Sequence, residues 1–167
     1  MSVLAAIELK CEDYLQDNSH LYAYKARRKK IAIVRVEIAT AGAADAVRID
    51  LGTAQLIVAG RSYRVEPPER IIRRFTEFTW DFLLYLVVDF HPLLSMVDLA
   101  ALVSGPVYNR RLKNQLRLLT NGEIVLRPGE RKNVLLAFQD VTAEGARLQV
   151  TYRFGRGDLQ RAECDLR

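Results

Sequence analysis

Apolar and polar residues alternate over most of this chain, and a single long apolar block interrupts the alternation. A period of two marks a strand with one face buried and one face in water. It is clearest in RLQVTYRF, where Leu148, Val150, Tyr152 and Phe154 fall on one side. Arg147, Gln149, Thr151 and Arg153 fall on the other. Residues 5–14 predict a strand with Ile7, Leu9 and Cys11 on one face. Residues 31–39 predict a second, with Val34, Val36 and Ile38 opposed to Arg35 and Glu37. Its first half, IAIV, is apolar on both faces, so the sheet there needs a local cover. Residues 21–24, 47–51, 55–58, 62–65, 123–126, 133–138 and 159–166 carry shorter strand patterns.

Turn residues separate these runs. Asp17-Asn18-Ser19 and the stretch from Ala41 to Asp45 predict loops, and Ala59-Gly60-Arg61 predicts a hairpin turn. Pro67-Pro68 ends that hairpin, because proline cannot donate to a ladder. Pro128-Gly129 has the order of the central pair of a type II turn, within Arg127 to Glu130. Residues 155–158, GRGD, predict a hairpin loop before a closing strand with Ala162, Cys164 and Leu166 inward.

The apolar block is FLLYLVVDFHPLLSMVDLAALV, residues 82–103. A membrane-spanning helix needs roughly 20 apolar residues with few or no charges. Asp89, His91 and Asp98 break this run, and Pro92 sits near its middle. Two buried helices joined at residues 89–92 fit better than one span. Thr79 caps the first, with Asp81 in its opening turn, and Pro92 opens the second. A third helix is expected over residues 106–119, closed by Asn121-Gly122. There Tyr108, Leu112, Leu116 and Leu119 recur at helical spacing, with Arg110, Arg111, Lys113 and Arg117 between them.

About eight short alternating strands around one helical block predict a mainly β fold: an antiparallel β-sandwich with an α-helical insertion at about residues 70–120. The absence of a strand–helix–strand rhythm argues against a doubly wound sheet. A chain of 167 residues suits one domain.

The net charge is +5, from 25 basic and 20 acidic residues. That is short of the charge density of a nucleic-acid binder, and no specific nucleic acid is expected. The surplus concentrates between Gly105 and Lys132, where Arg110, Arg111, Lys113, Arg117, Arg127, Arg131 and Lys132 outnumber Glu123 and Glu130. The run KARRKK, residues 25–30, reads as a solvated loop or a strand edge protected by lysines. MSVLAAIELK has no basic segment and too short an apolar one for a signal peptide. The expected setting is extracytoplasmic if a leader precedes the chain, and cytoplasmic otherwise. The two cysteines, Cys11 and Cys164, read as buried free thiols, with a disulfide between the terminal strands as the alternative.

A family resemblance follows from the order of the pieces. IVRVEIATAG, then GRSYRVE, then LRPGERKNVLLAF, then LQVTYRF resembles the telokin-like, immunoglobulin-like domains of bacterial exported proteins and lipoproteins. The LRPGE turn before VLLAF is the strongest element, and the resemblance covers residues 31–65 and 123–166. It omits the helical block. It implies an immunoglobulin-like sandwich, a non-enzymatic binding or accessory role outside the cytoplasm, and no active-site residue.

Candidate chemistry is sparse. His91 lies two residues from Asp89, a spacing that does not share a helical face, so a capping role outweighs a proton-transfer dyad. No phosphate loop, nucleophile elbow or metal spacing occurs, and no cofactor is expected. The expected function is therefore a protein–protein interaction module. Trp80, Tyr85, Tyr108, Arg110, Arg111 and Arg117 are its contact residues. The partner is an acidic protein or an anionic surface, with a homodimer through the insertion as a further form. The alternative is a carrier or sensor of an apolar or amphipathic ligand held between helices and sheet. An enzyme using Asp89 and His91 ranks last.

Overall fold

The computed structural model describes residues 6–15, 26–41, 45–76, 110, 113–155 and 157–166. The chain divides into two compact units, one of residues 1–68 and 118–167 and one of residues 69–117. The described part of the first unit is mainly β. Its strands are β1 (Ala6–Asp13), β2 (Ile31–Ala41), β3 (Val47–Val58) and β4 (Arg61–Arg64), then β5 (Glu123–Leu126), β6 (Arg131–Gln139), β7 (Arg147–Phe154) and β8 (Gln160–Asp165). All pairings between these strands are antiparallel. One sheet has the order β1-β2-β6, and the other β4-β3-β7-β8, with β5 also on β3.

The period-two pattern becomes the core. Ile7, Cys11, Ala32, Val34, Val36, Ile38, Val134, Leu136 and Phe138 come from the first sheet. Val47, Ile49, Leu51, Ala54, Leu56, Leu126, Leu148, Val150 and Tyr152 come from the second, and all belong to one buried cluster. Ile31, Ala32, Ile33 and Val34 are each 2% exposed or less, so the start of β2 is buried on both faces. Leu135 and Ala137 of β6 are buried beside them, in register with Arg35 and Ile33.

The sheets meet at both lateral margins. On one side Cys11 in β1 is disulfide-bonded to Cys164 in β8, with Cα atoms 6.1 Å apart. This corrects the reading as free thiols: both cysteines point inward from the outermost strand of their sheet, and burial brings them together. On the other side Val65, just past β4, bridges to Phe138, and the Glu66 N–H donates to the Ala137 carbonyl at 2.8 Å. The outer edge of β6 also takes Leu119 in a bridge to Leu135, with Thr120 N–H donating to the Leu135 carbonyl at 3.0 Å.

β3 is one strand of 12 residues, whereas the sequence pattern predicts two. An irregularity between Asp50 and Gln55 explains the difference. Before it β3 pairs with β5, and after it with β4, along the same edge. The bulged stretch is held locally: the Gly52 N–H donates to Asp50 Oδ1 and the Thr53 hydroxyl to the Asp50 carbonyl. The β3–β4 hairpin turns through Ala59 and Gly60, both at positive φ (48° and 78°), the pattern of a two-residue type I′ turn. Arg61 therefore pairs with Val58 instead of lying in the loop.

Between β5 and β6, Gly129 has φ 76° and the Glu130 N–H donates to the Arg127 carbonyl at 3.0 Å, as a type II turn requires. Arg127 N–H in turn donates to Glu130 Oε2 at 2.8 Å. Within KARRKK, residues 27–30 are exposed, as the solvated reading expects, but residues 26–30 form no strand edge. Ala26 to Arg28 close a helical turn with Ala26 fully buried, and Lys30 leaves it at φ 52°. Alanine and the long basic residues are good helix formers, and the Lys30 N–H donates to the Arg27 carbonyl at 3.1 Å to close the turn.

At the start of the stretch expected to be helical, about residues 70–120, α1 (Pro68–Thr76) is a helix. Pro68 stands at its start, Glu69 in its first turn and Arg73 and Arg74 in its last, all suited to the helix dipole. Ile71 and Phe75, four apart, are its buried positions. The helix expected over residues 106–119 ends early. Lys113 to Gln115 are helical, Leu116–Leu118 tightens to a 3-10 turn, and Leu119 is already in its bridge. The block at 82–103, the turn at 17–19 and the strand expected at 21–24 lie outside the described residues. Among the described residues no helix is long and apolar enough to cross a membrane.

Candidate functional site

Of the contact residues expected from the sequence, Trp80, Tyr85, Tyr108 and Arg111 lie outside the described residues, as do Asp89, His91 and His20. Arg110 and Arg117 are described, and both are exposed. Lys113 between them is exposed as well. Leu116 is buried at 1%, whereas Leu118 is 48% exposed. The second unit thus offers three cations to solvent at Arg110, Lys113 and Arg117.

The rest of the basic surplus, Arg127, Arg131 and Lys132, belongs to the first unit. It is exposed around the β5–β6 turn, where Arg131 pairs with Glu37 at 3.7 Å. The buried Thr40 hydroxyl fastens that turn to β2, donating to the Arg127 carbonyl at 2.9 Å.

The outer faces of the two sheets differ in charge pattern. On the first sheet opposite charges face each other: Glu12 is in register with Arg35, at 3.6 Å, and Lys10 with Glu37. The Arg35 guanidinium also lies 5.0 Å from the Tyr14 ring centre, a cation–π distance. On the second sheet one end is similarly matched. Arg147 lies opposite Asp165 and donates to it at 2.8 Å, and it reaches Glu163 at 3.3 Å. The hydrogen bond to Asp165, then the charges of Asp165 and Glu163, push the Arg147 guanidinium above its already high ordinary value. The other end is not matched: Arg48 of β3 lies directly opposite Arg153 of β7. That juxtaposition has no signature in a one-dimensional pattern, since the two residues are 105 positions apart in number and meet only through register.

A cavity of about 510 Å³ opens within the first unit, lined by the end of β1, the helical turn and the loop after β6. Its wall combines Leu15, Ile31 and Val141 with Arg27 and Lys30 and with Asp13 and Glu144. Among the described residues no group of three or more histidine, cysteine or acidic side chains is placed to hold a metal.

Searches against family models, curated proteins and solved structures return no match. The functional reading therefore stands on the chemistry of the surface itself.

Proposed function

We propose that this chain is a non-enzymatic binding module whose exposed basic segment at Arg110, Lys113 and Arg117 takes an acidic protein partner. The carrying observation is the exposure of all three cations, Arg110, Lys113 and Arg117, within the second unit. Basic side chains close together in sequence and exposed to solvent steer an acidic partner at long range. Arg111, Tyr108, Tyr85 and Trp80, outside the described residues, are the further contact residues of this reading. The scaffold is an immunoglobulin-like β-sandwich similar to the telokin-like domains, with a helical insertion at about residues 70–120. The Cys11–Cys164 disulfide favours an oxidising, extracytoplasmic setting.

Reversal of Arg110, Arg111 and Arg117 to Glu tests the reading. Arg110 and Arg117 are exposed, so the sheets should keep their stability. Retention on a polyglutamate surface should fall at low salt, and the difference from the wild type should close at high salt. Retention unchanged by the reversal overturns the assignment.

A second reading draws on the cavity of about 510 Å³, whose size suits a small ligand. Its mixed apolar and charged wall favours an amphipathic molecule carried by the first unit. Such a carrier would release its ligand on denaturation, detectable by mass spectrometry of the extract.

A further inference from the structure

Across the outer face of the second sheet the register defines rows of side chains. One row runs Val125, Arg48, Arg153, from β5 through β3 to β7, with each neighbouring pair in register. Leu159 stands immediately before Gln160, which pairs with Tyr152, and so extends this row towards β8. Val125 is 51% exposed and Leu159 74%, two of the three large apolar side chains most exposed among the described residues. The row thus reads apolar, Arg, Arg, apolar, and contains no acid.

Arg48 and Arg153 facing each other work against the sheet, because like charges directly opposite are destabilising. Among the described residues Arg48 has one long contact, with Glu123 at 3.9 Å, and Arg153 makes no ion pair. A locally unfavourable pair is the kind of inconsistency that marks a functional position. Unlike the neighbouring Asp50–Glu123 pair, whose Glu123 lies 3.9 Å from Arg48, the Arg153 guanidinium has no facing acid in its row. Two guanidinium groups side by side fit one carboxylate, which each can meet with directed N–H donors.

We propose that this row binds an extended acidic segment of a protein partner, with an apolar residue, an acid and a second apolar residue at alternate positions. Strand spacing sets that pattern. Four strands about 4.8 Å apart place the two ends of the row roughly 14 Å from each other. An extended chain advances about 6.7 Å between side chains on one face, so residues i, i+2 and i+4 span the same distance. The acid at i+2 then lies between Arg48 and Arg153, and the flanking side chains cover Val125 and Leu159. The next row carries Asp50 and Glu123 beside Thr151 and Arg161, which limits the site to a single acidic group and disfavours a polyanion such as a nucleic acid.

The test is a peptide array of the pattern apolar–x–Glu–x–apolar, read by fluorescence anisotropy against the full chain. Binding should occur, and should weaken about tenfold or more when the central Glu becomes Gln, or in Arg48→Gln and Arg153→Gln variants. Val125→Ser should weaken it without changing its salt dependence. Arg147→Gln, on the same face, should leave it unchanged. No binding by any peptide of the pattern, or equal binding of the Gln peptides, overturns the proposal. So does displacement by duplex DNA or inorganic phosphate at equal charge concentration. Loss of peptide binding only in the Arg110, Arg111 and Arg117 reversal assigns the peptide to the other unit and overturns this site while sparing the first reading.

Discussion

Cys11 and Cys164, 153 positions apart, are joined across the outermost strands of the two sheets. The opposite margin is closed by hydrogen bonds alone, through Val65, Glu66, Phe138 and Ala137. The disulfide therefore closes nearly the whole chain into a loop. By loop-closure entropy that is worth up to about 5 kcal/mol, and about 2–4 kcal/mol is usual. The Cys11→Ser, Cys164→Ser double variant should lose stability in that range, by urea unfolding, and a reducing agent should bring the wild type to the same midpoint. Near-identical midpoints with and without reductant would show that the margin at Val65 and Phe138 carries the assembly unaided.

Two glycines of the first unit should respond differently to alanine. Gly129 has φ 76° and open space around the missing Cβ. Its cost is that of a left-handed alanine, about 1–2 kcal/mol, and asparagine should recover part of it. A Cβ on Gly52 would stand 2.9 Å from the Asn121 carbonyl oxygen, which is backbone. Relief requires displacing the neighbouring Gly122, whose carbonyl accepts from Leu51 N–H at 3.3 Å. Gly52→Ala should cost about 1–3 kcal/mol with no recovery by asparagine. Thermal unfolding of the four variants, with asparagine failing at 52 and helping at 129, checks both accounts.

Much of the β architecture was legible because an alternating strand records its own inward face. β5 and β7 match the boundaries read from the pattern, and Leu148, Val150 and Tyr152 are buried as expected. The Pro128-Gly129 turn was legible because only glycine comfortably adopts its φ. The single β3 was not, since the bulge at Leu51 to Ala54 interrupts the period that defines a strand. The start of α1 at Pro68 was less legible, because Pro67-Pro68 reads as a stop for the hairpin while Pro68 with Glu69 behind it also opens a helix. The disulfide and the Arg48–Arg153 pair depend on which strands become neighbours, and alternation within a strand carries no information on that.

Tyr152 gives the fold a dependence on alkaline pH. It is 8% exposed, and burial raises its phenol above the ordinary value near 10 by disfavouring the phenolate. The ring also packs edge-on against Phe154, with centroids 5.4 Å apart, which holds it in place. Below the unfolded value both states keep the proton and stability is unaffected. As pH rises through that value the unfolded chain ionises first, so the folded state loses stability until the raised folded value is passed. Unfolding free energy should therefore decline above about pH 10, and Tyr152→Phe should decline less steeply over the same range. The difference between the two slopes isolates this phenol from every other group that titrates there. Parallel slopes for wild type and Tyr152→Phe would mean that the folded phenol ionises as easily as the unfolded one.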